Sequence, residues 1–247
     1  MPHPVNERAA RRVPGSARPA LGCGASTCFL RLPEATIFDT DIAAALEEFA
    51  AEDEFLATAR ANAERAGAAV PVAAMTGAAL RFLAAAIDAR AVVEIGTGYG
   101  TSSLWLLRGM RQGSVLTSVD VEPEHHRLAR QVFGAAGYSA SRYRLITGRA
   151  LDVLPRLADG AYDLVFCDAD KRELVDYLTA ALRLLRPGGI VAFDNAIWSD
   201  QGSNLAHRDP DTAAAAELRE LVAAEPALVP VLLPIGGGLL AAVKRPD

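Results

Sequence analysis

The stretch ALVPVLLPIGGGLLAAVKR, residues 227–245, consists of two apolar runs joined by the turn PIGGG. That turn is too short to hold a helix, and parallel neighbours need a crossover of about a dozen residues or more. The last strand therefore runs antiparallel to its partner. Whatever sheet precedes it closes in a hairpin.

Upstream, strand and helix signals alternate. AVVEI (91–95), SVLTSVD (114–120), RYRLITG (142–148), YDLVFCD (162–168) and IVAFD (190–194) read as buried strands. Between them TSSLWLLRGM (101–110), PEHHRLARQVFGAAG (123–137) and RELVDYLTAALRLL (172–185) read as helices and ALDVLPRLAD (150–159) as a short one, with Pro123 opening the second and RPGG stopping the last. This rhythm implies a mostly parallel sheet with helices on both faces. With the terminal hairpin it makes seven strands, the pattern of the class I methyltransferase (Rossmann-like) fold. Nicotinamide-binding domains do not ordinarily end that way.

Ahead of the sheet lie extra helices. Ile42, Ala45, Leu46 and Phe49 fall at helical spacing with Asp39 or Asp41 as cap, DEFLATARANAERAG (53–67) follows, and MTGAALRFLAAAI (75–87) is third. We read residues 34–247 as one domain, with 34–88 the helices and 89–247 the core. Residues 1–33, rich in Arg, Pro and Gly, read as a disordered extension without the apolar segment of a signal peptide. The net charge of −5 argues against a nucleic-acid partner. No run of about eighteen apolar residues suggests a membrane span. Cys23, Cys28 and Cys167 have no metal-type spacing, and a cytoplasmic setting is expected.

VVEIGTGYGTSSLWLL (92–107) is a strand, a glycine turn and a helix. Gly96, Gly98 and Gly100 let the backbone turn tightly beside a ligand, and the alternative is a plain strand–helix turn. Asp120 closes the next strand about twenty residues on, where a carboxylate accepts ribose hydroxyls or simply starts a turn. Glu94 suits a cationic ligand's ammonium better than a pyrophosphate, unless backbone amides satisfy it.

Asp168 ends the fourth strand and Asp194 the fifth, and ligands of open α/β sheets bind outside such ends. With the Asn195 carbonyl they offer three hard oxygens, a set suited to Mg²⁺, Mn²⁺ or Ca²⁺. A turn is the other reading of Asp194-Asn195. Asp170 and Glu173 match a helix capping box, and Lys171 matches a solvated lysine at a helix start. His125 and His126 open a helix read as exposed; like His207 they have no partner visible in sequence.

VVEIGTGYGTSS, SVDVEP, FCDADK and AFDNAIW together resemble the divalent-cation-dependent O-methyltransferases that use S-adenosylmethionine, the catechol and caffeoyl-CoA enzymes and their bacterial relatives, over roughly residues 40–245. The resemblance implies that Asp168, Asp194 and Asn195 hold the metal. It implies cofactor contacts from Val72, Glu94, Gly96, Thr97, Gly98, Ser102, Asp120, Ala150, Asp168 and Asp170, with Lys171 as general base. Departures fall at Val70, where the family often carries Met, and at Leu174, where it often carries Tyr. The loop SDQGSNLAHRDPD (199–211) matches no family pattern.

The expected reaction is methyl transfer to a hydroxyl of a small, catechol-like aromatic acceptor, with Trp198 either a wall for its ring or a core residue. A homodimer is expected, since relatives commonly pair. The rival readings are a nicotinamide-dependent oxidoreductase and a catalytically silent cofactor-binding protein of the same fold.

Overall fold

A computed structural model describes residues 45–46, 48–67, 71–197 and 210–246. The extension 1–33, Val70, Trp198, His207 and most of the loop after Trp198 lie outside the described residues.

Of the first predicted helix, Ala45, Leu46 and Phe49 are helical, as their spacing predicts, whereas Ile42 and the candidate caps Asp39 and Asp41 lie outside the described residues. Helix α1 (Glu54–Arg65) starts at Asp53, whose carboxylate accepts the N–H groups of Phe55 and Leu56, and α2 is Ala74–Ala86. The alternating units are β1 (Ala91–Ile95), α3 (Thr101–Gly109), β2 (Val115–Asp120), α4 (Pro123–Ala135), β3 (Tyr143–Thr147), α5 (Ala150–Val153), β4 (Tyr162–Cys167), α6 (Leu174–Leu184) and β5 (Leu185–Phe193). Then come α7 (Pro210–Ala224), β6 (Leu228–Leu233) and β7 (Leu239–Lys244).

The seven strands lie in the order β3-β2-β1-β4-β5-β7-β6. The first five are parallel, and β7 inserts between β5 and β6, antiparallel to both. The period of two along each strand divides the core between two faces. Val92, Leu116, Leu164, Phe166, Ile190 and Ala192 face α1–α4, whereas Val93, Val119, Val165, Val191 and Phe193 face α5–α7. Each fully buried Leu, Val or Phe contributes roughly 1.5–3 kcal/mol of transfer free energy. Helix α3 is covered all round: Thr101 to Leu107 are buried without a break.

Three local readings need correction. Strand β5 begins at Leu185, and RPGG forms a bulge between the Tyr162–Leu185 and Leu164–Ile190 pairs. Gly188, at φ +76°, permits that bulge, and Arg186 anchors it by donating to Asp163 Oδ1 at 2.6 Å. The segment 150–159 makes only α5 and a 3₁₀ turn over Leu154–Arg156, because Pro155 cannot continue the backbone ladder. Helix α7 has no counterpart in our sequence reading; its Ala-rich run buries Ala215, Leu218 and Val222 on one side.

Candidate active site

The strand order reverses beside β1, which pairs with β2 on one side and β4 on the other. A crevice opens above such a switch point. Here it is a cleft of about 530 Å³. Its lining includes Val72, Gly96, Thr97, Gly98, Ser102, Asp120, Ala150, Asp168, Asp170, Lys171 and Asn195, so eleven of the thirteen residues singled out in sequence converge on one space. Glu94 and Asp194 are buried behind that wall.

The glycine turn is built against its neighbours. Gly96, at φ +96°, lies so close to β4's end that a Cβ would sit 2.1 Å from the Asp168 carbonyl oxygen. Its missing side chain therefore seats the turn on the strand tip carrying Asp168. Gly98 N–H donates to Asp120 Oδ2 at 2.9 Å, Glu122 N–H donates to Oδ1 at 2.9 Å, and His125 Nδ1 lies 3.1 Å from Oδ2. Asp120 is thus fixed before any ligand arrives. His125 stacks at a tilt on Tyr99, ring centroids 4.8 Å apart, and both line the cleft.

Glu94 is fully buried beneath the turn and accepts hydroxyl bonds from Ser102 and Ser118, at 2.6 Å each, and from Ser103. Its donors are serine hydroxyls, not backbone amides, and its oxygens face those serines. Burial pushes its carboxyl up to about 7, against the pull of the three hydroxyls.

His126 corrects the reading of an exposed pair. It is 3% exposed, with Nε2 3.0 Å from Thr97 Oγ1 and Nδ1 3.0 Å from Thr147 Oγ1. Burial lowers its pKa. Asp170 does cap the 3₁₀ turn over Lys171–Glu173, accepting Arg172 N–H at 3.0 Å. The box is not closed: Glu173 instead accepts from Tyr177 O–H and from Arg149, both at 2.7 Å.

The two strand tips that carry the carboxylates stand side by side. Cys167 pairs with Phe193, so Asp168 and Asp194 each follow the end of adjacent parallel strands, and Asp194 N–H donates to the Cys167 carbonyl at 3.2 Å. Lys171 bridges them, with Nζ 3.4 Å from Asp168 Oδ1 and 3.2 Å from the Asp194 carbonyl oxygen. Asp194 is 4% exposed and its Oδ1 has no hydrogen-bond partner. Burial first, then the Asp168 charge, pushes its carboxyl up to about 7. Asn195 turns at φ +57°, held where Ala196 and Ile197 donate to the Gly238 and Gly237 carbonyls at 2.8 and 3.0 Å. Arg219 of α7 donates to the Ala196 carbonyl.

A buried, unpartnered carboxylate oxygen beside a second carboxylate is costly without a cation. Among the described residues no group of three or more His, Cys, Asp or Glu is placed to hold a metal. A cation here would rest on two carboxylates, the Asn195 amide and water, a donor set that fits a hard ion.

The family model for O-methyltransferase matches residues 46–245. This chain belongs to that family. A relative from Mycolicibacterium vanbaalenii named "Putative O-methyltransferase" is 45% identical over 226 residues, spanning 92% of this chain and 97% of its own. The solved O-methyltransferase TomG of Streptomyces achromogenes, in complex with S-adenosylmethionine, is 30% identical at a TM-score of 0.72, with 79% of this chain and 92% of that one covered. The O-methyltransferase of Bacillus cereus, in complex with S-adenosylhomocysteine, is 29% identical at 0.72, covering 81% and 97%. Family membership makes the chain an S-adenosylmethionine-dependent O-methyltransferase and overturns the nicotinamide and silent-protein readings. Among its described residues no helix is long and apolar enough to cross a membrane.

The sequence reading missed His125, Tyr99, Arg149 and Tyr177 in the cleft wall. The Tyr of GTGYG and the His five residues past Asp120 were the available signals, since a helix opening there returns its first turn to the strand end.

Proposed function

We propose that the enzyme methylates a hydroxyl of a small, catechol-like aromatic acceptor, with a divalent cation held by Asp168, Asp194 and Asn195. The buried, unpartnered Oδ1 of Asp194 carries this reading. A bound divalent ion would supply Lewis acidity and a template for two vicinal oxygens.

The chain's own residues do the rest. The cleft beside the glycine turn receives the cofactor, with Asp120 at the ribose end and Ala150 beside the base. Val72 and the Gly96–Thr97 turn line the methionine end, with Asp168 and Ser102. The acceptor oxygen attacks the methyl carbon in line with the departing sulfur. The carbon–oxygen bond forms as the carbon–sulfur bond breaks, which yields methyl ether and S-adenosylhomocysteine. Lys171 Nζ accepts the hydroxyl proton as the carbon–oxygen bond forms. Holding both reactants in one cleft replaces a bimolecular encounter with a positioned one.

The test is transfer of labelled methyl to a catechol with and without chelator. Activity lost on chelation and restored by Mg²⁺ supports the reading. Full activity in chelator removes the cation from it.

A further inference from the structure

Under the glycine turn the polar groups stand in single file. Ser118 Oγ donates to Glu94 Oε2 at 2.6 Å, Thr97 Oγ1 lies 2.6 Å from Ser118 Oγ, and His126 Nε2 lies 3.0 Å from Thr97 Oγ1. The file ends with Thr147 Oγ1, 3.0 Å from His126 Nδ1. A hydroxyl has one proton to give, and an ionised carboxylate has none. Glu94 therefore takes the proton of Ser118, and Ser118 must take that of Thr97. Thr97 then has nothing left to donate, so the nitrogen facing it must be the donor. A neutral imidazole that donates from Nε2 has a bare Nδ1, which accepts the hydroxyl of Thr147. With Glu94 ionised and the ring neutral, the proton positions follow from counting.

We infer that His126 is a positioning residue for the glycine turn: a neutral imidazole protonated on Nε2, donating to Thr97 and so fixing the turn that lines the cofactor cleft. The turn has other anchors on either side, Gly96 N–H on the Val119 carbonyl and Gly98 N–H on Asp120, both at 2.9 Å. Thr97 is 1% exposed, so without His126 its hydroxyl oxygen loses a donor that water cannot readily replace.

The assignment rests on the cleft being the cofactor's, and one arm of its test does not. Heteronuclear NMR of histidine-labelled protein at alkaline pH, where Glu94 is ionised, reads the tautomer of the buried ring directly. The inference expects the proton on Nε2 and a bare Nδ1. A ring protonated on Nδ1 alone overturns it, whatever the cleft binds. Calorimetry with S-adenosylmethionine is the second arm. His126→Leu should bind roughly tenfold more weakly, with kcat at saturating cofactor changed by less than about twofold. His126→Gln keeps a donor at the Nε2 position and should recover most of the affinity. Wild-type affinity in the Leu variant, or a Gln variant as weak as Leu, overturns the positioning role. If the Leu variant does not fold, the tautomer measurement still decides. If the wild type binds no S-adenosylmethionine, the reading of the cleft fails and the tautomer result stands apart.

Discussion

Lys171 reaches back from the turn after β4 to place its Nζ 3.2 Å from the main-chain carbonyl of Asp194, at the end of the neighbouring strand. That contact ties the two strand tips that carry the carboxylates, and in the proposed reaction it would hold an amine where the acceptor's proton leaves.

Lys171→Met should therefore lower kcat by about 10²–10⁴-fold, the usual worth of a positioned acid–base group, with a much smaller change in acceptor KM. Steady-state kinetics at saturating cofactor check this. An unchanged kcat and pH profile would leave the lysine a structural bridge.

Asp194→Asn should abolish stabilisation by divalent cations. If the wild type binds Mg²⁺, about 100 Kd of the ion adds about 2.7 kcal/mol, a rise of roughly 5–10 °C in Tm. Thermal melts with and without Mg²⁺ should show that rise in the wild type and none in the variant.

The pH dependence of stability has a definite sign. Glu94 and Asp194 each have a folded-state pKa pushed up to about 7, above ordinary values of 4.5 and 3.8. The folded protein thus holds protons that the unfolded chain has released. Their contribution is complete below about pH 4 and is lost as pH rises through 7. In chelator, melting temperature should decline across that interval, and Asp194→Asn should flatten part of the decline.

Asp163 gives a prediction away from the cleft. Its Oδ2 accepts the N–H groups of Arg90 and Ala91 at 2.7 and 2.9 Å, and its Oδ1 holds Arg186 at 2.6 Å. Asp163→Ala strands two backbone donors at the start of β1 and should cost about 2–4 kcal/mol. Urea denaturation measures it, and a loss below about 1 kcal/mol would mean that water replaces the carboxylate.

The strands and their carboxyl ends were legible because period-two burial and terminal carboxylates are local signals: AVVEI and YDLVFCD read directly as β1 and β4, and IVAFD as the second half of β5. The hairpin showed that one strand runs backwards. Its insertion between β5 and β6 depends on long-range pairing, which no window of sequence contains. Gly96 was rightly singled out, yet the atom that crowds it is the Asp168 carbonyl, from a strand some seventy residues away. His126 and its neighbour His125 look alike in sequence, and only the packing of α4 on β2 and β3 buries one and turns the other to the cleft. Glu173 fits a capping box by spacing, but Arg149 and Tyr177 offer it stronger partners from other elements.

On the proposed reading, adjacent strand tips hold one hard ion beside the bound cofactor. Crystals grown with S-adenosylhomocysteine and Mn²⁺, measured at the manganese absorption edge, test it most directly. One anomalous peak is expected at about 2.0–2.2 Å from oxygens of Asp168, Asp194 and Asn195. Density for S-adenosylhomocysteine in the cleft with no peak at those three residues would contradict it.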